Sequence, residues 1–118
     1  MSRRNDRGAL QDMRDYAREA LGMFGEASAD ALETDRQLQL SLCYLIQIVG
    51  EAAARVSADT RETYPEIPWS RIVGMRNRIA HGYDQVVMEI VQDTVAIELP
   101  KLIRQLTVIL GEDSGEGG

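Results

Sequence analysis

The sequence has few aromatic residues and only three prolines among its 118 residues. Aromatic residues make up 5% of the chain, whereas hydrophobic residues make up 44%. The core must therefore consist of Leu, Ile, Val, Ala and Met, a composition typical of helical bundles rather than of β-sandwiches. No period-two alternation predicts a strand. The length fits one domain, and we expect residues 1–118 to form a single helical domain.

Cysteine and long apolar runs are also scarce. The single cysteine, Cys43, excludes an internal disulfide and lies in an apolar run, which predicts a reduced core residue in an intracellular protein. No stretch approaches the 18 or more apolar residues of a membrane span, and the polar start MSRRNDRG lacks the apolar centre of a signal peptide. We therefore expect a cytoplasmic protein with no membrane contact.

The chain carries a formal net charge of −6. This charge argues against a protein that coats nucleic acid, because non-specific binding depends on neutralising phosphates. It does not exclude a small basic cleft on an acidic body, and Arg71, Arg76 and Arg78 fall close together in the sequence. The net charge thus constrains solubility more than mechanism.

Apolar spacings of three and four residues predict four main helices. We expect them to form an antiparallel bundle, which has four helices or, with one further short helix, five. The first two helices are expected at about 6–24 and 35–57. The third begins at Pro68 and ends near Gly82, and the fourth begins near Val86, with a kink or break at Pro100.

The intervening and terminal segments are predicted to be less regular. The connection between the first two helices has some helical character, whereas residues 58–67 form a polar connection. The acidic, Gly-rich segment at about 111–118 has nothing to bury and is expected to be a flexible tail.

The second predicted helix has more apolar surface than one stripe. A seam of alternating four- and three-residue spacing is joined by further apolar residues, namely Leu40, Cys43, Ile46, Ile48 and Ala53. Such a helix either lies centrally in the bundle or also faces a second subunit. We expect a homodimer.

The segment MRNRIAHGYD, residues 75–84, concentrates the chemically capable side chains, including the only histidine, His81. A lone histidine near a helix end is commonly a cap, with solvated arginines nearby. Arg76 and His81 would point about 140° apart on an ideal helix, but Gly82 allows the backbone to turn. Arginine matches phosphate, and histidine exchanges protons near neutral pH. This pair, without a metal-ligand set or Gly-rich phosphate loop, favours metal-independent RNA cleavage with no cofactor.

The same segment resembles the R-x4-H-x-Y signature of the HepT-like ribonuclease toxins of the HEPN superfamily. It reads Arg76-Asn77-Arg78-Ile79-Ala80-His81-Gly82-Tyr83. QIVGEAA at 47–53, YPEIPW at 64–69 and ELP at 98–100 follow the family's order and approximate spacing. The resemblance covers about residues 8–108.

This resemblance implies a HEPN-like helical fold that dimerises and cuts RNA without metal in a cleft shared by two chains. It implies that Arg76 and His81 are the catalytic pair and that Asn77 supports the site. It further implies that Tyr83 is the position at which a partner nucleotidyltransferase antitoxin attaches AMP. The alternative is a non-catalytic, antitoxin-like helical binding partner of a nucleotidyltransferase, and a purely structural dimer is a third possibility.

Three further residues allow two interpretations each. Glu51 could orient Arg76 or His81 through a charge-assisted bond, or it could lie at the wet edge of its helix. Arg78 could hold a substrate phosphate or be solvated. Trp69 is expected to anchor a core or an interface rather than to stack on a base.

Overall fold

Helices account for nearly all of the structure, a computed structural model that describes residues 3–27, 30–80 and 85–111. Side chains are described for residues 6–27, 30–79 and 88–111. The helices are α1 (Arg3–Glu26), α2 (Ala31–Thr34), α3 (Arg36–Ala54), α4 (Ala58–Thr63), α5 (Trp69–Ala80), α6 (Gln85–Asp93) and α7 (Leu99–Ile109), with a π-helical turn at Thr94–Glu98. These three ranges contain no strand, so the all-α prediction is confirmed for them.

Helix α1 lies between α3 and α7 and contacts both. Its apolar side includes Met13 and Ala17, which are fully buried. Two arginines join it to the far end of the chain: Arg7 donates to the carbonyl of Leu110 at 3.2 Å, and Arg18 donates to Thr107 Oγ1 at 3.3 Å. Helix α1 therefore packs against α7 through apolar contacts and is joined to the end of the chain by two hydrogen bonds.

Helix α3 is central in the bundle and contacts α1 and α5. It begins after Asp35, whose side chain accepts a hydrogen bond from the Leu38 backbone N–H at 3.1 Å. The predicted seam is buried throughout, at Leu38, Leu42, Leu45, Val49, Ala52 and Val56. The helix ends at Ala54, three residues before the predicted end.

The connection after α3, predicted as a polar loop, contains the short helix α4. Ser57 caps it, since Ser57 Oγ accepts from the Thr60 backbone N–H at 3.4 Å. Arg61 then donates to the carbonyls of Ala53 and Val56 at 3.0 and 3.1 Å. These bonds satisfy backbone acceptors at the end of α3 and hold α4 against it.

A buried carboxylate ties α1 to this connection. Asp6 is 1% exposed and accepts hydrogen bonds from Ser57 N at 2.9 Å, Ser57 Oγ at 2.5 Å and Thr60 Oγ1 at 2.5 Å. Burial alone would raise the pKa of this carboxyl, but the hydrogen bonds from Ser57 and Thr60 outweigh it and hold the pKa below its ordinary value of 3.8. We call Asp6, Ser57 and Thr60 the Asp6 cluster.

The interruption predicted at Pro100 takes the form of a wider turn. Proline has no N–H to donate to the carbonyl of Ala96, and its ring crowds that carbonyl. The backbone widens over Thr94–Glu98, and Leu99 N–H bonds five residues back, to Thr94. Helix α7 then starts with Pro100 in its first turn, where no N–H is required.

Cys43 is free and fully buried, as predicted. Burial raises the pKa of its thiol to about 11. Within the described ranges, no helix is both long and apolar enough to cross a membrane. The predicted flexible tail begins at Gly111 but otherwise lies outside the described residues, at 112–118.

Candidate active site on helix α5

Helix α5 carries most of the segment singled out from the sequence, and Trp69 anchors its first turn. The Trp69 side chain is buried, and its Nε1 donates to the carbonyl of Tyr64 at 3.0 Å. The guanidinium of Arg61 lies 6.0 Å from the ring centroid. Trp69 is thus a core anchor, as predicted.

Helices α3 and α5 pack closely against each other at Gly50. A Cβ atom at Gly50 would lie 3.0 Å from the Ile72 carbonyl oxygen and 3.1 Å from Arg76 Cβ. Because glycine has no side chain, the α5 backbone and the base of the Arg76 side chain lie directly against α3 here. The sequence pattern assigns Gly50 no role, although glycine inside a helix costs stability relative to alanine and can therefore have a packing reason.

Arg76 lies on the solvent side of this helix crossing. On the inner side, Val49 and Met75 are buried. On the outer side, Glu51 and Asn77 are exposed, and Arg76 itself is half-buried. Arg76 therefore lies where α5 packs against α3, and it is partly accessible from solvent there.

The predicted link between Glu51 and Arg76 is not seen as a direct bond. Among the residues that the structure describes, neither side chain has a hydrogen bond or ion pair. The guanidinium of Arg76 is thus a permanent positive charge at the helix border that no described side chain neutralises. A guanidinium charge is well matched to a phosphate group.

The other two arginines that lie close to Arg76 in the sequence, Arg71 and Arg78, lie on other sides of α5. Arg78 is exposed and stands about 200° around the helix from Arg76. Arg71 is 65% exposed at its side chain and pairs with Glu98 at 3.1 Å. Closeness in sequence therefore does not place the three arginines on one face, and Arg71 is a surface residue.

The second half of the motif lies outside the described residues. These residues, 81–84, include His81, Gly82 and Tyr83. The distance between Arg76 and His81 and the surroundings of Tyr83 therefore stay predictions from the sequence.

A second exposed feature continues along α3 from Glu51. Tyr44 is 63% exposed and Leu40 is 41% exposed, one helical turn apart. Ile48, a further turn on, is half-buried. We call Leu40, Tyr44 and Ile48 the α3 apolar stripe. Of the apolar residues predicted beyond the seam, Leu40 and Ile48 belong to this stripe and are at least partly exposed. Cys43, Ile46 and Ala53 are buried.

A cavity of about 280 Å³ lies on the opposite side of α5, between α3, α5 and α7. Its apolar lining includes Ile46, Ile72, Met75 and Leu102. Arg76 is not among its lining residues. This cavity and the candidate catalytic arginine are therefore separate features.

Comparison with known proteins decides the family. The profile described as Ribonuclease HepT-like matches residues 13–109, from α1 to the end of α7. The chain belongs to the HepT-like ribonuclease family.

Named relatives of this HepT-like chain agree with the family. A probable ribonuclease HepT of Thermococcus cleftensis is 31% identical over 68 residues, which are 58% of this chain and 62% of that protein. A "putative RNase" of Methanocaldococcus jannaschii is 23% identical over 116 residues, 98% of this chain and 96% of that protein. No solved structure matches the chain.

Proposed function

We propose that this HepT-like chain is a metal-independent endoribonuclease of the cytoplasm and the toxin of a toxin–antitoxin pair. The observation that carries the proposal is the family match over residues 13–109. This range includes helix α5, on which Arg76 is partly accessible from solvent. The guanidinium, which no described side chain neutralises, is suited to a phosphodiester of RNA.

The proposed reaction is attack of the ribose 2′-hydroxyl on the neighbouring phosphorus. A base removes the hydroxyl proton, the new P–O bond forms, and the bond to the 5′-oxygen breaks as an acid protonates that oxygen. The products are a 2′,3′-cyclic phosphate and a free 5′-hydroxyl. His81 exchanges the protons, and Arg76 stabilises the negative charge on the phosphoryl oxygens. Asn77 and Glu51 support the site, and Arg78 binds substrate phosphate.

One histidine in each chain does not easily fill both proton roles in one step, so the proposed site is composite. Two chains related by a two-fold axis supply two histidines and two arginines. The α3 apolar stripe supports such a dimer, because Leu40 and Tyr44 expose apolar surface on the helix that borders Arg76. A second copy packed there would lie beside the site.

The deciding experiment measures cleavage of a labelled single-stranded RNA in EDTA. We expect cyclic phosphate ends, and a loss of roughly 10²- to 10⁴-fold in His81→Ala, the usual scale for a general acid–base group. Arg76→Ala should be comparably damaging, whereas Arg78→Ala should mainly raise KM. Arg71→Ala is the matched control on the same helix, since Arg71 is exposed and pairs with Glu98.

Two outcomes would overturn this proposal. Activity that disappears in EDTA and returns with magnesium would contradict the metal-independent mechanism. An equal effect of Arg76→Ala and Arg71→Ala would remove Arg76 from the site. Expression of the chain alone should also arrest growth, and harmless expression would favour a binding partner without catalytic activity.

Sedimentation at micromolar concentration tests the dimer. The wild type should sediment as a dimer, and Tyr44→Glu should weaken association because it places a charge in the α3 apolar stripe. Val108→Glu is the control, since Val108 is 77% exposed on α7, away from the stripe. A monomeric wild type would overturn both the dimer and the composite site.

The proposed partner is a nucleotidyltransferase antitoxin that attaches AMP to the Tyr83 hydroxyl. Each AMP would add a negative charge and a bulky nucleotide beside the arginines that receive RNA phosphate. Co-expression with the proposed nucleotidyltransferase partner should add mass in AMP units on Tyr83, lost in Tyr83→Phe but kept in Tyr44→Phe. Neutralisation of Tyr83→Phe without added mass on the wild type would instead indicate inhibition by binding.

A further inference from the structure

We propose that Gly50 is a positioning residue for Arg76 and that its lack of a side chain sets where the guanidinium stands. The inference rests on the proposed role of Arg76. Gly50 is buried inside α3, and the two nearest atoms to its missing Cβ are the Ile72 carbonyl oxygen at 3.0 Å and Arg76 Cβ at 3.1 Å.

Both of these atoms belong to the rigid part of α5. Carbon atoms pack favourably at about 3.5–4.0 Å, so a Cβ at Gly50 would stand roughly 0.4 Å too close to Arg76 Cβ. A carbonyl oxygen and a Cβ atom cannot swing away as the end of a flexible side chain can. A methyl group at position 50 must therefore push the helix segment that carries Arg76 away from α3.

Helix propensity alone would favour alanine at this position. Glycine inside a helix is about 1 kcal/mol less favourable than alanine. Gly22 in α1 and Gly74 in α5 are glycines without a close neighbour, because a Cβ at either position would meet nothing within 4 Å. Replacing them with alanine should stabilise the fold, and Gly50 is distinguished from both by its contact with Arg76.

The test compares Gly50→Ala with Gly74→Ala and Gly22→Ala. Because a misplacement of 1 Å at a reacting group can cost about 100-fold, a shift of a few tenths of an ångström should lower kcat on labelled RNA about tenfold. KM should change little, since the loss is in the transition state. Gly74→Ala, only two residues from Arg76, should keep wild-type kcat, as should Gly22→Ala.

A double-mutant cycle separates positioning from general damage to the fold. Arg76→Ala keeps the Cβ atom that crowds position 50 but removes the guanidinium. If Gly50 acts through that guanidinium, Gly50→Ala should cost less than twofold in the Arg76→Ala background, measured in single turnover at high enzyme concentration. The same tenfold cost in both backgrounds would overturn the inference.

An activity-independent readout is the NMR signal of the Arg76 side-chain Nε–H, assigned by its loss in Arg76→Ala. This signal should shift in Gly50→Ala and stay unchanged in Gly74→Ala. If Arg76→Ala cripples the enzyme while Gly50→Ala keeps both full activity and the wild-type signal, only the inference fails. If Arg76→Ala is fully active, the proposed function fails first, and the two failures are thus distinguishable.

A triple variant that combines Gly50→Ala with Gly22→Ala and Gly74→Ala tests whether the loss of activity reflects loss of the folded state. Gly22→Ala and Gly74→Ala add stability away from the contact and should offset part of the cost of Gly50→Ala. A folded triple variant with about tenfold lower kcat supports the inference. A triple variant that does not fold overturns it, because the contact would then determine the fold rather than the place of one side chain.

Discussion

Replacing the buried carboxylate of Asp6 with its neutral amide tests what joins α1 to the connection between α3 and α5. In Asp6→Asn, one oxygen can still accept from Ser57 N–H. The other oxygen becomes an amide nitrogen that faces Ser57 Oγ and Thr60 Oγ1, both of which donate in the wild type. The hydroxyl groups must turn, and all three bonds lose their charge assistance.

The size of the effect follows from the burial and the number of bonds. Hydrogen bonds to a charged group contribute about 1.5–3 kcal/mol each, so three amount to roughly 5–9 kcal/mol. Removing the carboxylate from water costs several kcal/mol, which offsets much of this. We therefore expect Asp6→Asn to lower the free energy of unfolding at pH 7 by about 2–3 kcal/mol, or roughly 6–15 °C in Tm.

The pH dependence has a defined sign. The pKa of Asp6 is lower in the folded protein than its ordinary value of 3.8, so the carboxylate stabilises the fold fully above that value. As the pH falls below about 3.8 and through the lower folded pKa, the unfolded chain binds the proton first, and the stabilisation is lost. The difference between wild type and Asp6→Asn should be constant from pH 7 to about 5 and shrink below about 4.

Urea unfolding followed by circular dichroism between pH 3 and 7 provides the measurement. Asp12→Asn is the matched control on α1, because Asp12 forms an exposed ion pair with Arg55 at 2.9 Å that should contribute about 0–1 kcal/mol. Asp6→Asn as stable as the wild type at pH 7 would refute the reasoning. So would a difference that stays unchanged down to pH 3.

Two further predictions concern α3. The Cys43 thiol, buried with a pKa raised to about 11, should not react with a thiol reagent at pH 7.5 until urea unfolds the chain, and stoichiometric labelling of folded protein would contradict its burial. Arg61→Ala should lower the free energy of unfolding by about 1.5–3 kcal/mol, because the carbonyls of Ala53 and Val56 lose the hydrogen bonds from the guanidinium. Arg55→Ala is its control in the same urea titration, and equal losses in the two variants would show that these bonds add nothing.

The main helices could be predicted because their apolar spacing is long and regular. The seam from Leu38 to Val56 follows α3 and continues just past its end, and every one of its residues is buried. Helix α4 was missed because six residues carry too little periodicity, and its capping residue, Ser57, was not recognised as such. At Pro100, the sequence predicts that a hydrogen bond is lost, but packing of the neighbouring turns against α1 decides that the backbone widens instead of breaking.

The candidate site was predictable only as far as a motif can specify it. The residue types of the R-x4-H-x-Y segment indicate RNA chemistry, and helical spacing already separates Arg76 from Arg78. The role of Gly50 depends on where α3 and α5 cross, which no local pattern encodes. Glu51 is exposed, and its predicted role toward Arg76 or His81 stays a prediction.

The fastening of α1 to α7 has a consequence for synthesis of the chain. The bond from Arg7 to Leu110 spans 103 residues, which a ribosome translating roughly 5–20 residues per second completes in about 5–20 s. During that time, the apolar face of α1 has no α7 to cover it. A product of interrupted translation would thus leave buried residues such as Met13 open to chaperones and proteases. Only a chain elongated through α7 can assemble the bundle that presents Arg76.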